Sequence, residues 1–156
     1  MLLGLLSDTH GTLHPRLLAV FREAGVERIL HAGDVGKESV LAELQPLAPT
    51  LAVKGNIDTR GGVAQLPEEV RFDAEGVNVY MTHVGGKPEY WLPRLPVPSP
   101  AVAICGHSHI PLLRSLGGVL FLNPGAAGTR PRFGRGLTAA LLSLEDGKAK
   151  AEIITL

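Results

Sequence analysis

Five short stretches of the chain end an apolar run with residues that can bind a metal or move a proton. They are Asp8-Thr9-His10, Gly33-Asp34, Gly55-Asn56-Ile57-Asp58, Thr82-His83 and Gly106-His107-Ser108-His109. Asp8 and His10 are two residues apart, as are His107 and His109, so each pair faces one way in extended backbone. Gly33, Gly55 and Gly106 each stand before a polar residue, where a missing side chain lets the backbone turn closely under a site. The set holds two carboxylates (Asp8, Asp34), one amide (Asn56) and four imidazoles (His10, His83, His107, His109). Mixed oxygen and imidazole donors suit Mn, Fe, Zn, Co or Ni, not Ca or Mg. Seven ligands exceed the shell of one such ion and match two, with a carboxylate free to bridge cations that would otherwise repel. Each motif alone has an ordinary reading: a buried His is commonly a core residue, and Gly-Asp or Gly-Asn is commonly a turn. Their conjunction at strand ends carries the metal reading.

Ligands of open α/β sheets gather at the carboxyl ends of strands, so strands must deliver these groups. Residues 2–7 form a short apolar run that stops at Ser-Asp. Residues 14–24 carry Leu17, Leu18, Val20 and Phe21 at helical spacing, with Gly25 as a stop. Strand 28–32, helix 38–44 and strand 50–54 follow, and this alternation predicts parallel pairing with right-handed crossovers. Hairpins come next: 69–73 with 77–82, 112–115 with 119–122, and 137–144 with 149–156 around Asp146-Gly147. Residues 101–105 read as one more apolar strand. Residues 87–100 hold five prolines, which exclude a helix longer than about one turn, and are expected to form a surface loop or lid. The expected fold class is α/β, with two sheets packed face to face.

Composition narrows the function classes. The 156 residues are 45% hydrophobic and 19% charged, a globular balance expected to form one domain over 1–156. Fifteen basic residues balance fifteen acidic ones, which argues against a stable nonspecific complex with nucleic acid. A single cysteine, Cys105, excludes an intrachain disulfide and fits a reducing compartment; it reads as a core residue. No apolar run is long enough to span a membrane, and the N-terminal run reads as a first strand and not a signal peptide. The expectation is a cytoplasmic protein with no membrane association, open to homo-oligomerisation.

The motif order D-x-H, G-D, G-N-x-[DE], H, G-H-x-H resembles that of calcineurin-like metallophosphoesterases. Here it stands as SDTHG at 7–11, HAGD at 31–34, KGNID at 54–58, THVGG at 82–86 and CGHSH at 105–109. NPGAAG at 123–128 is similar to a segment of the small single-domain bacterial and archaeal phosphodiesterases of that superfamily. The resemblance spans essentially the whole chain. It implies a four-layer α/β/β/α sandwich of two mixed β-sheets flanked by helices. It implies two divalent transition metals, with Mn favoured and Ni, Fe, Zn or Co as alternatives. Asp8, His10 and His109 would hold the first, Asn56, His83 and His107 the second, and Asp34 would bridge them. Two cations about 3.5–4 Å apart lower the pKa of a shared water, and the implied reaction is attack of that hydroxide on a phosphodiester. Asp34, Asn56, His83 and Asp58 are the candidate catalytic residues, although Asp58 reads equally as a turn residue. Asn56, Arg130 and Arg132 are the candidate substrate contacts, Arg130 and Arg132 belonging with Arg135 to a basic cluster after NPGAAG.

Many superfamily members carry a His after the Asn of G-N-x-[DE], to protonate the leaving group. This chain has Ile57. The expected substrate is therefore a small phosphodiester or nucleotide-type diester whose leaving group departs unaided. Rival readings are a phosphomonoesterase and a scaffold, since a trafficking-coat subunit of the same fold acts without turnover. His31 stands three residues before Asp34, where it could position a ligand or simply fill the core.

Overall fold

The computed structural model describes residues 1–131 and 136–156. Strand β1 (Leu2–Leu6) starts the chain, followed by helix α1 (Leu17–Ala24), β2 (Arg28–His31), α2 (Glu38–Leu44) and β3 (Thr50–Ala52). Strands β1, β2 and β3 pair in parallel, as the alternation predicts. Gly25 takes the left-handed conformation and its N–H closes on the Arg22 carbonyl, which ends α1. The helix starts at Leu17 and not His14, because Pro15 and Arg16 sit in a turn ahead of it.

Hairpins β4 (Glu69–Ala74) with β5 (Val77–Thr82), β7 (Leu112–Leu116) with β8 (Val119–Asn123), and β9 (Thr138–Glu145) with β10 (Lys148–Thr155) build the rest, with β6 (Val102–Ile104) between the first two. All three turns have two residues, both at positive φ: Glu75-Gly76, Gly117-Gly118 and Asp146-Gly147. That geometry matches the right-handed strand twist and fixes each register. The strand orders are β10-β9-β1-β2-β3 in one sheet and β4-β5-β6-β8-β7 in the other.

Strand alternation assigns the layers. Leu3 and Leu5 of β1 face the second sheet and join Val79, Met81, Val102, Ile104 and Leu122 in the core between the sheets. Leu6 faces the opposite way, into a cluster with Leu17 and Phe21 of α1 and Val40 and Leu44 of α2. The second sheet is covered on its outer side by a one-turn helix, α3 (Pro88–Trp91), and a 3₁₀ turn over Leu92–Arg94. This is the four-layer α/β/β/α arrangement. Its fourth layer corrects the reading of 87–100 as a lid. Trp91 is only 4% exposed and packs with Tyr80, Phe121 and Cys105. Burial of the largest aromatic in the chain ties the segment to the sheet. It lines neither cavity beside the candidate site.

Candidate metal centre

Every candidate ligand follows a strand by a few residues: Asp8 after β1, Asp34 after β2, Asn56 after β3, His83 after β5, and His107 and His109 after β6. The first two loops run side by side. Asp8 and His10 donate their N–H to the carbonyls of Gly33 and Asp34, each at 3.0 Å. The two sheets are joined across the site as well, because the His107 N–H donates to Asp8 Oδ2 at 3.0 Å. Two glycines make this approach feasible. A Cβ on Gly55 would overlap the backbone and carboxylate of Asp34, and one on Gly106 would overlap Ser7 Oγ and crowd Asp8.

The backbone is strained where the chemistry is placed. Among the described residues, seven non-glycine positions have positive φ: two lie in hairpin turns, and five are Asp8, His10, Asp34, His107 and His109. Each such conformation costs of order 1 kcal/mol or more and persists only where the surroundings impose it.

Among the described residues, two overlapping sets of donor atoms result, each within 4.8 Å of one another: Asp8, His10 and His109, and Asp8, Asp34 and His83. Asp34 turns one oxygen toward each side, with Oδ2 at 3.6 Å from His10 Nε2 and Oδ1 at 3.3 Å from His83 Nε2. His109 Nε2 lies 3.4 Å from Asp8 Oδ1 and 3.3 Å from His10 Nε2. Asn56 and His107 are exposed at the outer edge. The His107 ring lies 5.3 Å from that of His83, and His107 enters neither set.

The donors fit a cation. Asp8 Oδ1 and His83 Nε2 are buried without a hydrogen bond among the described residues. His83 Nδ1 donates to the Ala32 carbonyl at 2.7 Å, so in the neutral ring Nε2 is a bare lone pair facing a carboxylate oxygen. Facing lone pairs in a buried site require positive charge between them. Burial opposes charging of His83, but Asp34 and the Ala32 carbonyl outweigh it and pull its pKa above the ordinary imidazole range. Burial also opposes ionisation of Asp34, yet His83 and the Ile57 N–H hold its carboxyl down at about 2. Asp8 is pushed up to about 6 by burial.

The outer residues explain the positions. Asp58 is fully buried, and its carboxylate accepts the N–H groups of Val35, Gly36 and Gly55. These contacts favour the turn reading of Asp58 over the catalytic one: its oxygens are engaged by backbone, and it braces the loops that carry Asp34 and Asn56. His31 is fully buried and held neutral by burial, at about 3. Its Nδ1 accepts the Gly33 N–H, so Nε2 carries the hydrogen and donates to Thr9 Oγ1 at 3.0 Å. Thr9 in turn donates to the Val35 carbonyl. Sequence reasoning left Thr9 and Asn123 out. Asn123 Nδ2 donates to the Gly106 carbonyl at 2.7 Å and holds the histidine loop, a role signalled only by its place in NPGAAG. Cys105 is buried, and burial pushes its thiol up to about 11, which leaves it no role as a nucleophile.

Cavities flank the donors on two sides. One of about 360 Å³ is lined by Asn56, His83, Val84, Thr82, Lys54 and Glu68. The other, of about 300 Å³, is lined by Asp8, His10, Thr12, Thr129 and Arg130. Arg132 and Arg135 lie outside the described residues. No described helix is long and apolar enough to cross a membrane.

The fold and these donors have counterparts in known proteins. The family model for the calcineurin-like phosphoesterase superfamily domain matches residues 1–147. A "probable metallophosphoesterase" of Methanothermobacter thermautotrophicus is 36% identical, over 99% of this chain and 92% of the relative. Among solved structures, a single mutant of Vps29 from Entamoeba histolytica superposes with a TM-score of 0.82 at 21% identity, covering 100% of this chain and 99% of that one. A structure described as a novel archaeal phosphodiesterase gives 0.78 at 22% identity, covering 99% and 100%. Such low identities show the shared fold alone, whereas the family match and the 36% relative reach the chemistry. The fold, the order of the strand-end motifs and these matches converge: the chain belongs to the calcineurin-like phosphoesterase superfamily, whose members bind divalent metals.

Proposed function

We propose that this chain is a phosphodiesterase that works with two divalent transition metals, Mn favoured, in a single domain over 1–156. The observation that supports this most is the splayed Asp34 carboxylate, with one oxygen toward His10 and the other toward His83. Asp8, His10 and His109 would hold one ion, and His83, with Asn56 and His107 at the edge, the other. When bound, the ions supply an activated water at neutral pH and neutralise charge on the phosphoryl oxygens. The protein's own contribution is placement. Asp34 stays ionised throughout the physiological range, so it is ready to bridge. His83 presents Nε2 because Ala32 holds its Nδ1 hydrogen. The exposed Asn56 amide stands at the edge, where it can donate to a phosphoryl oxygen. This reading needs no covalent intermediate. Arg130 lines the cavity on the His10 side and would contact substrate oxygens.

The test is hydrolysis of bis(p-nitrophenyl) phosphate beside p-nitrophenyl phosphate. Metal-stripped protein would be reloaded with Mn, Ni, Zn or Mg, with Asp34→Asn as control. Metal-dependent diester cleavage, reduced at least about a thousandfold in Asp34→Asn, is expected. Cleavage of the monoester alone would replace this reading with a phosphatase. A second reading has one observation in its favour, the fold likeness to Vps29. Metal binding without turnover of either ester would make a protein-interaction scaffold the better account.

A further inference from the structure

Among the described residues, the two cavities beside the donors each hold one cation and one carboxylate, Lys54 with Glu68 in one and Arg130 with Asp8 in the other, but they differ in whether the two are paired. In the cavity on the Asn56 and His83 side, the Lys54 ammonium is neutralised by Glu68 at 2.9 Å, and Val84, 55% exposed, adds an apolar wall. In the cavity on the Asp8 and His10 side, Arg130 has no carboxylate within ion-pair distance among the described residues. Thr12 and Thr129 face each other there, with Oγ1 atoms 2.9 Å apart. One hydroxyl hydrogen satisfies that contact, so the other is free to donate outward. Asp8, the one carboxylate among the described residues lining this cavity, is buried among the candidate metal donors, so Arg130 and the threonine hydroxyls are left to face the cavity beside His10.

We propose that the cleft formed by Thr12, Thr129 and Arg130 receives a second phosphate of the substrate. The inference rests on the phosphodiesterase reading and names its substrate class: a diester with a phosphomonoester on the substituent that leaves the metal centre past His10. The opposite substituent lies toward Val84 and needs no charge. A guanidinium takes a phosphate through two parallel N–H groups, and a hydroxyl donor completes the shell. A neutral substituent would leave Arg130 with only water to bind.

Two measurements test this. The first needs neither metal nor turnover. Inorganic phosphate is titrated into the metal-free protein and the amide resonances are followed by NMR, for the parent and for Arg130→Gln. Saturable shifts at Thr12, Gly128 and Thr129 are expected, with a dissociation constant at least about fivefold weaker in the variant. Absence of saturable shifts there, or equal affinity in the variant, overturns the proposal. The second compares the p-nitrophenyl ester of thymidine 5′-phosphate with the same ester carrying a 3′-phosphate. The parent should prefer the 3′-phosphorylated ester by about tenfold in kcat/KM, and Arg130→Gln should lose that preference. Equal turnover of both esters by the parent refutes the substrate class even if phosphate binds. Turnover of neither defeats the phosphodiesterase reading, while the titration still decides the subsite by itself.

Discussion

Asp34 and Asp8 have the same side chain and opposite electrostatics. Asp34 sits between His10 and His83 and accepts the Ile57 N–H, so its carboxyl stays near 2. Asp8 is more deeply enclosed and rises to about 6. Environment alone separates them. Ile57 is the other residue that bears on the proposed chemistry. It is 44% exposed beside Asn56, where many superfamily members carry a proton donor, and its side chain cannot protonate a leaving oxygen. Diester hydrolysis should therefore slow by about three- to tenfold for each unit rise in leaving-group pKa. Substituted phenyl diesters measure that slope, and Ile57→His should flatten it. A flat slope in the parent would mean that another group delivers the proton. The candidate donors Asp8 and Asp34 were legible in the sequence because metal-binding residue types are few and here end apolar runs. Their protonation was not, because it depends on neighbours distant in sequence.

Loops, not strands, set the geometry, and each loop is braced from behind. Asp58 ties 33–36 to 55–58 through three backbone N–H groups, and Asn123 ties the histidine loop to β8. Removing a charged acceptor from three buried donors is expensive. Asp58→Ala should lower stability by about 3 kcal/mol and weaken metal binding by about tenfold, read by chemical denaturation and metal titration. Unchanged stability and metal affinity with lost kcat would return Asp58 to the chemistry. The hairpins were legible to within a residue or two, since paired turn residues such as Asp146-Gly147 specify positive φ locally. Segment 87–100 was not. Its prolines correctly limit the helix to one turn, but local sequence could not reveal that Trp91 is buried on Phe121, 5.5 Å between ring centroids.

At the scale of the molecule, strained backbone and crowded buried side chains converge at the candidate metal centre. Asp8 gives this a pH signature. Its folded pKa, about 6, exceeds the ordinary value, so the folded state holds the proton more tightly than the unfolded state. Its ionisation therefore costs stability: nothing below about pH 4, and the full amount, about 3 kcal/mol, above about pH 6. Metal-free Asp8→Asn should melt higher than the parent at pH 8, with the gap closing toward pH 4, and added Mn should stabilise the parent more than the variant. Calorimetry in chelator measures the first and calorimetry with added Mn the second; a gap independent of pH would contradict the assignment. By itself, the sequence determined the alternation of parallel units and hairpins, the donor types and the family, because these depend on local periodicity, turn chemistry and motif order. Tertiary structure decided which donors meet. The meeting of β1 and β2 loops from one sheet with β5 and β6 loops from the other is a long-range packing outcome. So too is the exposure of His107 and Asn56, the neutral state of His31, and the pairing of Lys54 but not Arg130 in the two cavities. Each follows from what the other sheet places nearby, which no local stretch of sequence encodes.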